Sequence, residues 1–489
     1  MQWKPESLTA TVTCERLESS ASPAAAFEAL LREPEPAVLE SAAVRDEYGR
    51  FSVLACRPLD VLTLREGVLS DSAGRTLAET DDEIWRTLSD AFRAVTVAGS
   101  ADGYCPGWIG YLGYELGRHI ERLPAAAVRD TALPDLRLGF YDAILLHDSA
   151  DGSWRLVELA FDSPPPGAAP AGDALRQVLT RAEHSEPASA PEAETATAAA
   201  AESNFSPEEY RRAVGRCIDY IAAGDIFQVN LSQRLTVRDA PPPEAIYRAL
   251  RAGNPAAYAA YLHFESAGTR CAVAGSSPEL FIRVRGDSVE TRPIKGTRPR
   301  PDDPTAQQRV GDELVASAKD NAELAMIIDL LRNDLGRACR YGTIRVAEPR
   351  RLEVHPTVLH LVGTVQGRLR KDVGPAELLR ATFPGGSITG APKIRAMEII
   401  DELEPHARGV YTGCVGIVGV NGRCEWNIAI RTVVWDGGTA HVQVGGGVVA
   451  DSTPEGEYQE TLDKARAMLQ AIAQARNDVT SVARTEARR

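Results

Sequence analysis

SPEEYRRAVGRCIDYIAAGDIFQVNLSQRLTV, residues 206–237, reads as a helix followed at once by a strand. Ser206 suits an N-cap, Pro207 the first helical position, and Glu208 and Glu209 the positive end of the helix dipole. The helix is predicted to run to about Ala223 and to stop at Gly224. From Ile226 to Val237 the period changes to two, with Phe227, Val229 and Leu231 on one face and Gln228, Asn230 and Ser232 on the other.

Working outward, strands are predicted at Cys271–Ala274, Leu280–Val284, Val289–Thr291, Trp426–Trp435 and His441–Val444. A long helix is predicted over Thr305–Leu335, another from near Pro392, and a last one from Pro454 to about Arg476. Upstream, strand-like runs (Phe51–Ala55, Val61–Leu64, Ile144–His147, Trp154–Leu159) mix with helical ones (Ala24–Leu31, Asp82–Val95). The alternation is irregular and no period of roughly 20–50 residues repeats, so the class is α+β, a mixed α/β body, and not a solenoid. AEHSEPASAPEAETATAAAAES, residues 182–203, is too poor in apolar side chains to offset its ordering entropy, and reads as a flexible connector. It separates an N-terminal region, 1–181, from a catalytic region, 204–476, with 477–489 expected as a disordered tail.

The 489 residues are 44% hydrophobic and 25% charged, ordinary for a chain with a sizeable core. A net charge of −14 disfavours a nucleic-acid or anionic-membrane binder. The eight cysteines (14, 56, 105, 217, 271, 339, 414 and 424) form no CxxC or Cys/His spacing for zinc. Lys4, Glu6 and Glu15 stand where a signal peptide would carry its apolar core, and no apolar run approaches the roughly 20 residues of a membrane span. The expectation is a reduced, cytoplasmic enzyme.

Four segments carry chemistry. In the last helix Glu457, Glu460 and Lys464 share a stripe, and in AKDNAELAMIIDLL, residues 318–331, Asp320 and Glu323 share another with Ile327 and Leu330. Two such carboxylate pairs would make an oxygen-rich site suited to Mg²⁺ if the helices met, and no spacing shows that they do. PGGSITGAPK, residues 384–393, puts glycines ahead of a helix, where backbone N–H groups could reach an anion, but Ala391-Pro392 stands where a P-loop needs Lys-Ser/Thr. Gly445, Gly446 and Gly447, read as following a strand, permit close approach of a ligand or simply a tight turn. Arg431, read mid-strand on the face of Asn427 and Ala429, asks for a carboxylate partner. Glu279 and Lys295 flank two short strands whose hairpin would bring them together; Lys295 is an activated amine on one reading and a loop lysine on the other.

Taken together these segments resemble the chorismate-utilising enzymes, whose members include anthranilate, aminodeoxychorismate, isochorismate and salicylate synthases. The likeness covers about residues 204–475, on GDIFQVNLSQR, SSPEL, PIKGTRPR, DNAELAMIIDLLRNDLGR, HPTVLHLVGTV, GGSITGAPKIRAMEIIDELEP, RGVYTGCVG, IAIRT and VGGGVVADSTPEGEYQETLDKA. VLESA at 38–42 and IGYLGYELGR at 109–118 extend it upstream. It implies two large β-sheets packed face to face with helices on the outside.

Within the family the lysine of PIKGT marks one type of aminodeoxychorismate synthase, where anthranilate synthases carry alanine. Gln228 stands where the isochorismate and salicylate enzymes use a basic lysine, and an amide cannot activate water. The resemblance therefore implies conversion of chorismate and ammonia to 4-amino-4-deoxychorismate, on the branch to p-aminobenzoate and folate. Anthranilate formation is the alternative, and a non-catalytic chorismate- or tryptophan-binding relative a third reading.

The implied roles follow residue by residue. Glu323 and Glu460 would hold Mg²⁺, supported through water by Asp320 and Glu457. Lys295 would add to C2 while the C4 hydroxyl leaves, protonated by Glu279, with His360 beside that hydroxyl and Thr297 near the ring. Arg431, Tyr411 and the backbone of Gly445–Gly447 would hold the enolpyruvyl carboxylate, and Lys464 and Ser387 the ring carboxylate. Local cations thus reconcile a dianionic substrate with an acidic chain. Leu39, Glu40 and Ser41 resemble a tryptophan pocket. No second, glutamine-hydrolysing domain is read in the sequence, so a separate glutamine amidotransferase subunit is expected to supply ammonia, and a separate lyase to act downstream.

Overall fold

The computed structural model describes residues 8–42, 48–99, 101–163, 170–184 and 198–486, and organises them around two β-sheets of 13 and 12 strands. Between the sheets Val53, Ile144 and Val273 of one meet Ile109, Tyr111 and Ile417 of the other. The helices cover the outer faces, where Phe27, Leu175, Ile246 and Ile472 pack on one sheet and Leu88, Leu324 and Leu378 pack with the strands of the other. The expected face-to-face sheets are therefore present.

Neither sheet belongs to one region of the sequence. In the first, the strand Tyr258–Ser266 pairs with Ala37–Glu40; in the second, Cys414–Gly419 pairs with Gly107–Leu112. Chain segments from before and after residues 182–203 thus continue the same two ladders. Residues 185–197 of the expected connector lie outside the described residues. Its ends are ordered: Ala182 and Glu183 finish the helix Gly172–Glu183, and Glu202–Ser203 pairs with Leu235 and Thr236.

The helix Pro207–Ala222 has the capping box its sequence predicts, with Ser206 Oγ accepting from Glu209 N at 3.2 Å and Glu209 Oε2 accepting from Ser206 N at 2.8 Å. Gly224 takes φ +83°, which ends the helix. The strand then runs Gln228–Val237, and the side chains of both its faces are buried except the half-buried Thr236, because it pairs with Thr439–Val448 deep in the sheet. Phe227 precedes the ladder and is exposed.

Four expectations about elements are corrected. Thr305–Leu335 is two helices, Pro304–Ala316 and Ala318–Gly336, because Ser317 adopts ψ 111° and caps the second, its Oγ accepting from Asp320 N at 3.3 Å. Trp426–Trp435 is two strands, Cys424–Asn427 and Thr432–Asp436, in different sheets; Arg431, with φ 49°, sits where the chain crosses between them and is not mid-strand. Gly445, Gly446 and Gly447 lie inside the strand Thr439–Val448, opposite Ser232, Leu231 and Asn230. The last helix continues past Arg476 to Glu486, so residues 477–486 are helical where a disordered tail was expected; 487–489 lie outside the described residues.

Among the described residues no helix is long and apolar enough to cross a membrane. Seven of the eight cysteines are buried and all are free thiols.

Candidate functional site

The hairpin between Glu279 and Lys295 closes as expected. Strands Leu280–Arg285 and Ser288–Arg292 pair antiparallel, and the chain continues into Ile294–Pro299 against Val358–Arg368. Glu279 ends up buried, its Oε1 accepting from Ser387 Oγ at 2.6 Å, with the Lys295 ammonium and the Arg431 guanidinium nearby. Burial pushes its carboxyl up to about 7, the Ser387 hydrogen bond and then the Lys295 and Arg431 charges opposing that rise. A carboxyl that is partly protonated near neutral pH can give up a proton to a leaving group.

Lys295 is half-buried beside the glycine strand: a methyl group built on Gly447 would stand 3.4 Å from its Nζ. Loss of hydration lowers its pKa from the ordinary lysine value, and the Lys464 charge adds to this, while Glu323, Glu279 and Glu460 oppose it. The amine is thereby closer to the neutral, nucleophilic form than a surface lysine.

Helices Ala318–Gly336 and Pro454–Glu486 do bring their carboxylates into one electrostatic neighbourhood around Lys295. Glu323 is raised by burial and by Asp320 and Glu460, against Lys295 and Lys319. Glu457 is raised by burial and by Glu460, and its Oε2 is buried without a hydrogen-bond partner among the described residues, next to Gly446. Burial would raise Glu460 too, but Lys464, 2.7 Å away, with Lys295 and Lys319 brings it below the usual value. Lys464 also donates to Gly445 O at 2.8 Å. Asp320 turns away from this group, toward Arg298 at 2.8 Å. Among the described residues no three His, Cys, Asp or Glu side chains are gathered as a ready-made metal cage.

The glycine strand forms the wall. A side chain at Gly446 would stand 2.6 Å from Glu457 Oε2, and one at Gly447 2.7 Å from Gln228 Nε2. Gln228 is fully buried and both its amide atoms lack a partner among the described residues; so does Asn230 Oδ1. Buried polar atoms left unsatisfied are costly in a resting protein, and a polar ligand would satisfy them. Thr297 and His360 join the site through a 2.9 Å contact between Oγ1 and Nδ1. Arg431 stands across from Glu279. Tyr411 lies against Arg408, whose guanidinium carbon is 5.7 Å from its ring centre.

Leu39, Glu40 and Ser41 border a small cavity between the sheets with Tyr104, Glu425 and Asn427. The Glu40 carboxylate is engaged on its other side, by Arg251 at 2.8 Å and the Tyr247 hydroxyl at 2.9 Å. Packing requires the glycines at 385 and 386: side chains there would press on Ile428 and Leu330.

A sequence model described as chorismate binding enzyme matches residues 44–470, across nearly all of this architecture. The chain belongs to the chorismate-binding enzyme family. It is 39% identical over 473 residues to anthranilate synthase component 1 of Streptomyces coelicolor, covering 94% of this chain and 88% of that one. It is 38% identical over 428 residues to aminodeoxychorismate synthase component 1 of Salmonella typhimurium, covering 87% of this chain and 90% of that one. The crystal structure of anthranilate synthase component I from Streptococcus pneumoniae superposes with a TM-score of 0.71 at 29% identity, covering 93% of this chain and 99% of that one. Both names, anthranilate synthase component 1 and aminodeoxychorismate synthase component 1, thus occur among its relatives.

Some site residues escape a sequence reading. Asn230 alternates with Gln228 on one strand face, and that spacing was the available signal. Lys319 joins the carboxylates from the first turn of its helix, without a signal of its own. Arg408 is fully buried, donating to Glu404, Asn230 O and Ile388 O, and so ties the strand of Gln228 to the turn of Ser387. These contacts join positions up to 178 residues apart.

Proposed function

We propose that this chain is the chorismate-aminating component of an aminodeoxychorismate synthase. The observation that carries the reading is Lys295: an amine with depressed basicity, facing the raised Glu279 carboxyl and backed by the open glycine strand. The Lys295 amine adds to C2 of the ring and loses a proton, both conjugated ring double bonds shift along, and the C4 hydroxyl leaves as water with the proton of Glu279. Ammonia then adds at C4, both double bonds shift back, and the bond to Lys295 breaks, the proton lost by the added ammonia going to the departing lysine nitrogen and returning the free amine. Two displacements of opposite sense put nitrogen where the hydroxyl had been. Arg431 and Lys464 meet the carboxylates, Ser387 orients Glu279, and Thr297 holds the His360 ring.

Mg²⁺ fits the acidic group: two helices present Glu323 and Glu460, with the unpartnered Glu457 oxygen adjacent, and Mg²⁺ needs only one or two protein carboxylates besides water and ligand oxygens. When bound it would neutralise the ring carboxylate and draw electron density from the ring. Ammonia would come from a separate glutamine amidotransferase subunit, in keeping with relatives named as component 1.

Anthranilate formation is the second reading, supported by the relatives of that name. Mass spectrometry of the product from chorismate, Mg²⁺ and ammonium decides between them: aminodeoxychorismate supports the first, and fluorescent anthranilate overturns it.

A further inference from the structure

Glu115 is a buried acid that the chemistry above does not use. It lies on the short 3₁₀ helix Tyr114–His119 of the N-terminal region, just after the strand Gly107–Leu112, and is only 3% exposed. Both of its oxygens are engaged by backbone from the catalytic region: Oε1 accepts from Arg408 N at 2.9 Å and Oε2 from Gly409 N at 2.8 Å. Tyr114 N donates back to Gly409 O at 2.7 Å, so the helix and the turn RGVYTG, residues 408–413, are joined in both directions.

What this carboxylate holds leads to the site. The turn carries Tyr411, and it is tied to the chain crossing just ahead of Arg431: Thr412 N donates to Ala429 O, and Ala429 N to Gly413 O, each at 2.9 Å. Local preference does not hold the turn in shape, because Gly409 and Thr412 take φ +58° and +61°, and the second is costly for a β-branched residue. Such a backbone persists where surrounding contacts over-determine it, and the two bonds to Glu115 are among those contacts.

The charges around Glu115 are engaged with one another. Asp135 is held by Arg129 at 2.6 Å, Glu404 by Arg408 at 2.7 Å and Asp401 by Arg118, while His406, lowered by burial, stands 3.5 Å from Asp130. Tyr114, beside it in the helix, is raised far above the ordinary phenol value by burial. Burial likewise raises the Glu115 carboxyl to about 7, Asp135 adding to the rise and Arg129 and the Arg408 N–H opposing it. A protonated carboxyl keeps one acceptor oxygen and turns the other into a donor, which a backbone N–H cannot meet.

We propose that Glu115 is a positioning residue for chorismate: its carboxylate holds the 408–413 turn in the form that sets Tyr411 and Arg431 on the substrate's carboxylate, and protonation frees one of the two N–H groups. The N-terminal region thereby acts on substrate binding without touching the substrate. The inference rests on the proposed function above in taking chorismate as the substrate, with its enolpyruvyl carboxylate at Tyr411 and Arg431.

The test is chorismate binding to the full-length chain by isothermal titration calorimetry, with Mg²⁺ and without ammonium, at pH 6, 7 and 8. The parent carries Glu279→Gln, which stops turnover and removes the other carboxyl raised to about 7. With the ionised form of Glu115 as the binding form, the dissociation constant follows the inverse of its population and rises about tenfold from pH 8 to pH 6. Glu115→Gln, added to the parent, keeps one acceptor oxygen and is expected to bind at pH 8 as weakly as the parent does at pH 6, with no change between. Thermal midpoints are taken alongside. A lowered midpoint with parental affinity and pH response marks a contact that serves folding alone and overturns the proposal. A parent whose affinity is flat from pH 8 to pH 6 overturns it as well, whether or not the Glu115→Gln chain folds. Absence of chorismate binding by wild type at pH 8 defeats the substrate reading and the proposal with it. The expected binding pattern in a chain whose wild-type product is anthranilate defeats the aminodeoxychorismate reading alone.

Discussion

Ser387 Oγ donates to Glu279 Oε1 at 2.6 Å, joining a turn after the helix Pro375–Thr382 to the loop that precedes the strand Leu280–Arg285. The bond fixes one carboxylate oxygen, and the Ile294 backbone N–H also donates to the carboxylate. Burial outweighs the Ser387 hydroxyl, the Lys295 charge, the Ile294 backbone N–H and the Arg431 charge, and so keeps this acid protonated at a useful pH.

Glu279→Gln keeps the Ser387 hydrogen bond and removes the proton donor. Turnover of chorismate with ammonium is expected to fall about 10²- to 10⁴-fold, the range of a lost general acid. Because the carboxyl is raised to about 7, the wild-type rate declines as pH climbs through 7, and the residual rate of the variant lacks that decline. The sign for folding is parallel. The native state holds this proton more tightly than the unfolded chain, so the contribution to stability is present at low pH and is lost between about 4.5 and 7; pH-dependent urea midpoints of wild type and variant read the difference.

Lys295→Ala is expected to abolish amination at C4 while the protein stays folded, since the side chain is only half-buried. Product analysis by mass spectrometry is the check. Undiminished aminodeoxychorismate removes the covalent role; a trace of C2-aminated product reports direct attack by ammonia.

Glu460→Gln tests the acidic group. The pair with Lys464 is about half exposed and stands at i,i+4, so its loss changes stability by less than about 0.5 kcal/mol. Turnover is expected to lose its response to Mg²⁺, measured by titration of the metal, with the thermal midpoint within a degree or two of wild type.

Arg408→Met removes a guanidinium buried against Glu404 at 2.7 Å and leaves that carboxylate without its cation. The expected cost is about 3–5 kcal/mol in urea denaturation. Because Arg408 also holds the backbone of Asn230 and Ile388, chorismate KM rises in whatever protein remains folded.

Local chemistry was legible in the residues alone. The capped helix at Ser206, the strand after it, the Glu279–Lys295 hairpin and the two acidic helix stripes all follow from spacing and propensity, which act over a few neighbouring positions. What failed did so where a local pattern met a tertiary demand. A mostly apolar run hid the crossing at Arg431, because both flanking strands are largely buried and read alike. Three glycines read as following a strand lie inside it, since sequence does not show that Glu457 and Gln228 crowd their positions.

By itself, then, the sequence determined the element types, the chemistry-bearing side chains and the family, because each is written in short-range order. Only the tertiary structure decided that carboxylates from helices more than a hundred residues apart surround one lysine, and that both regions of the chain share the same sheets. Those are pairings across long loops, set by which buried faces fit, and no local pattern encodes them.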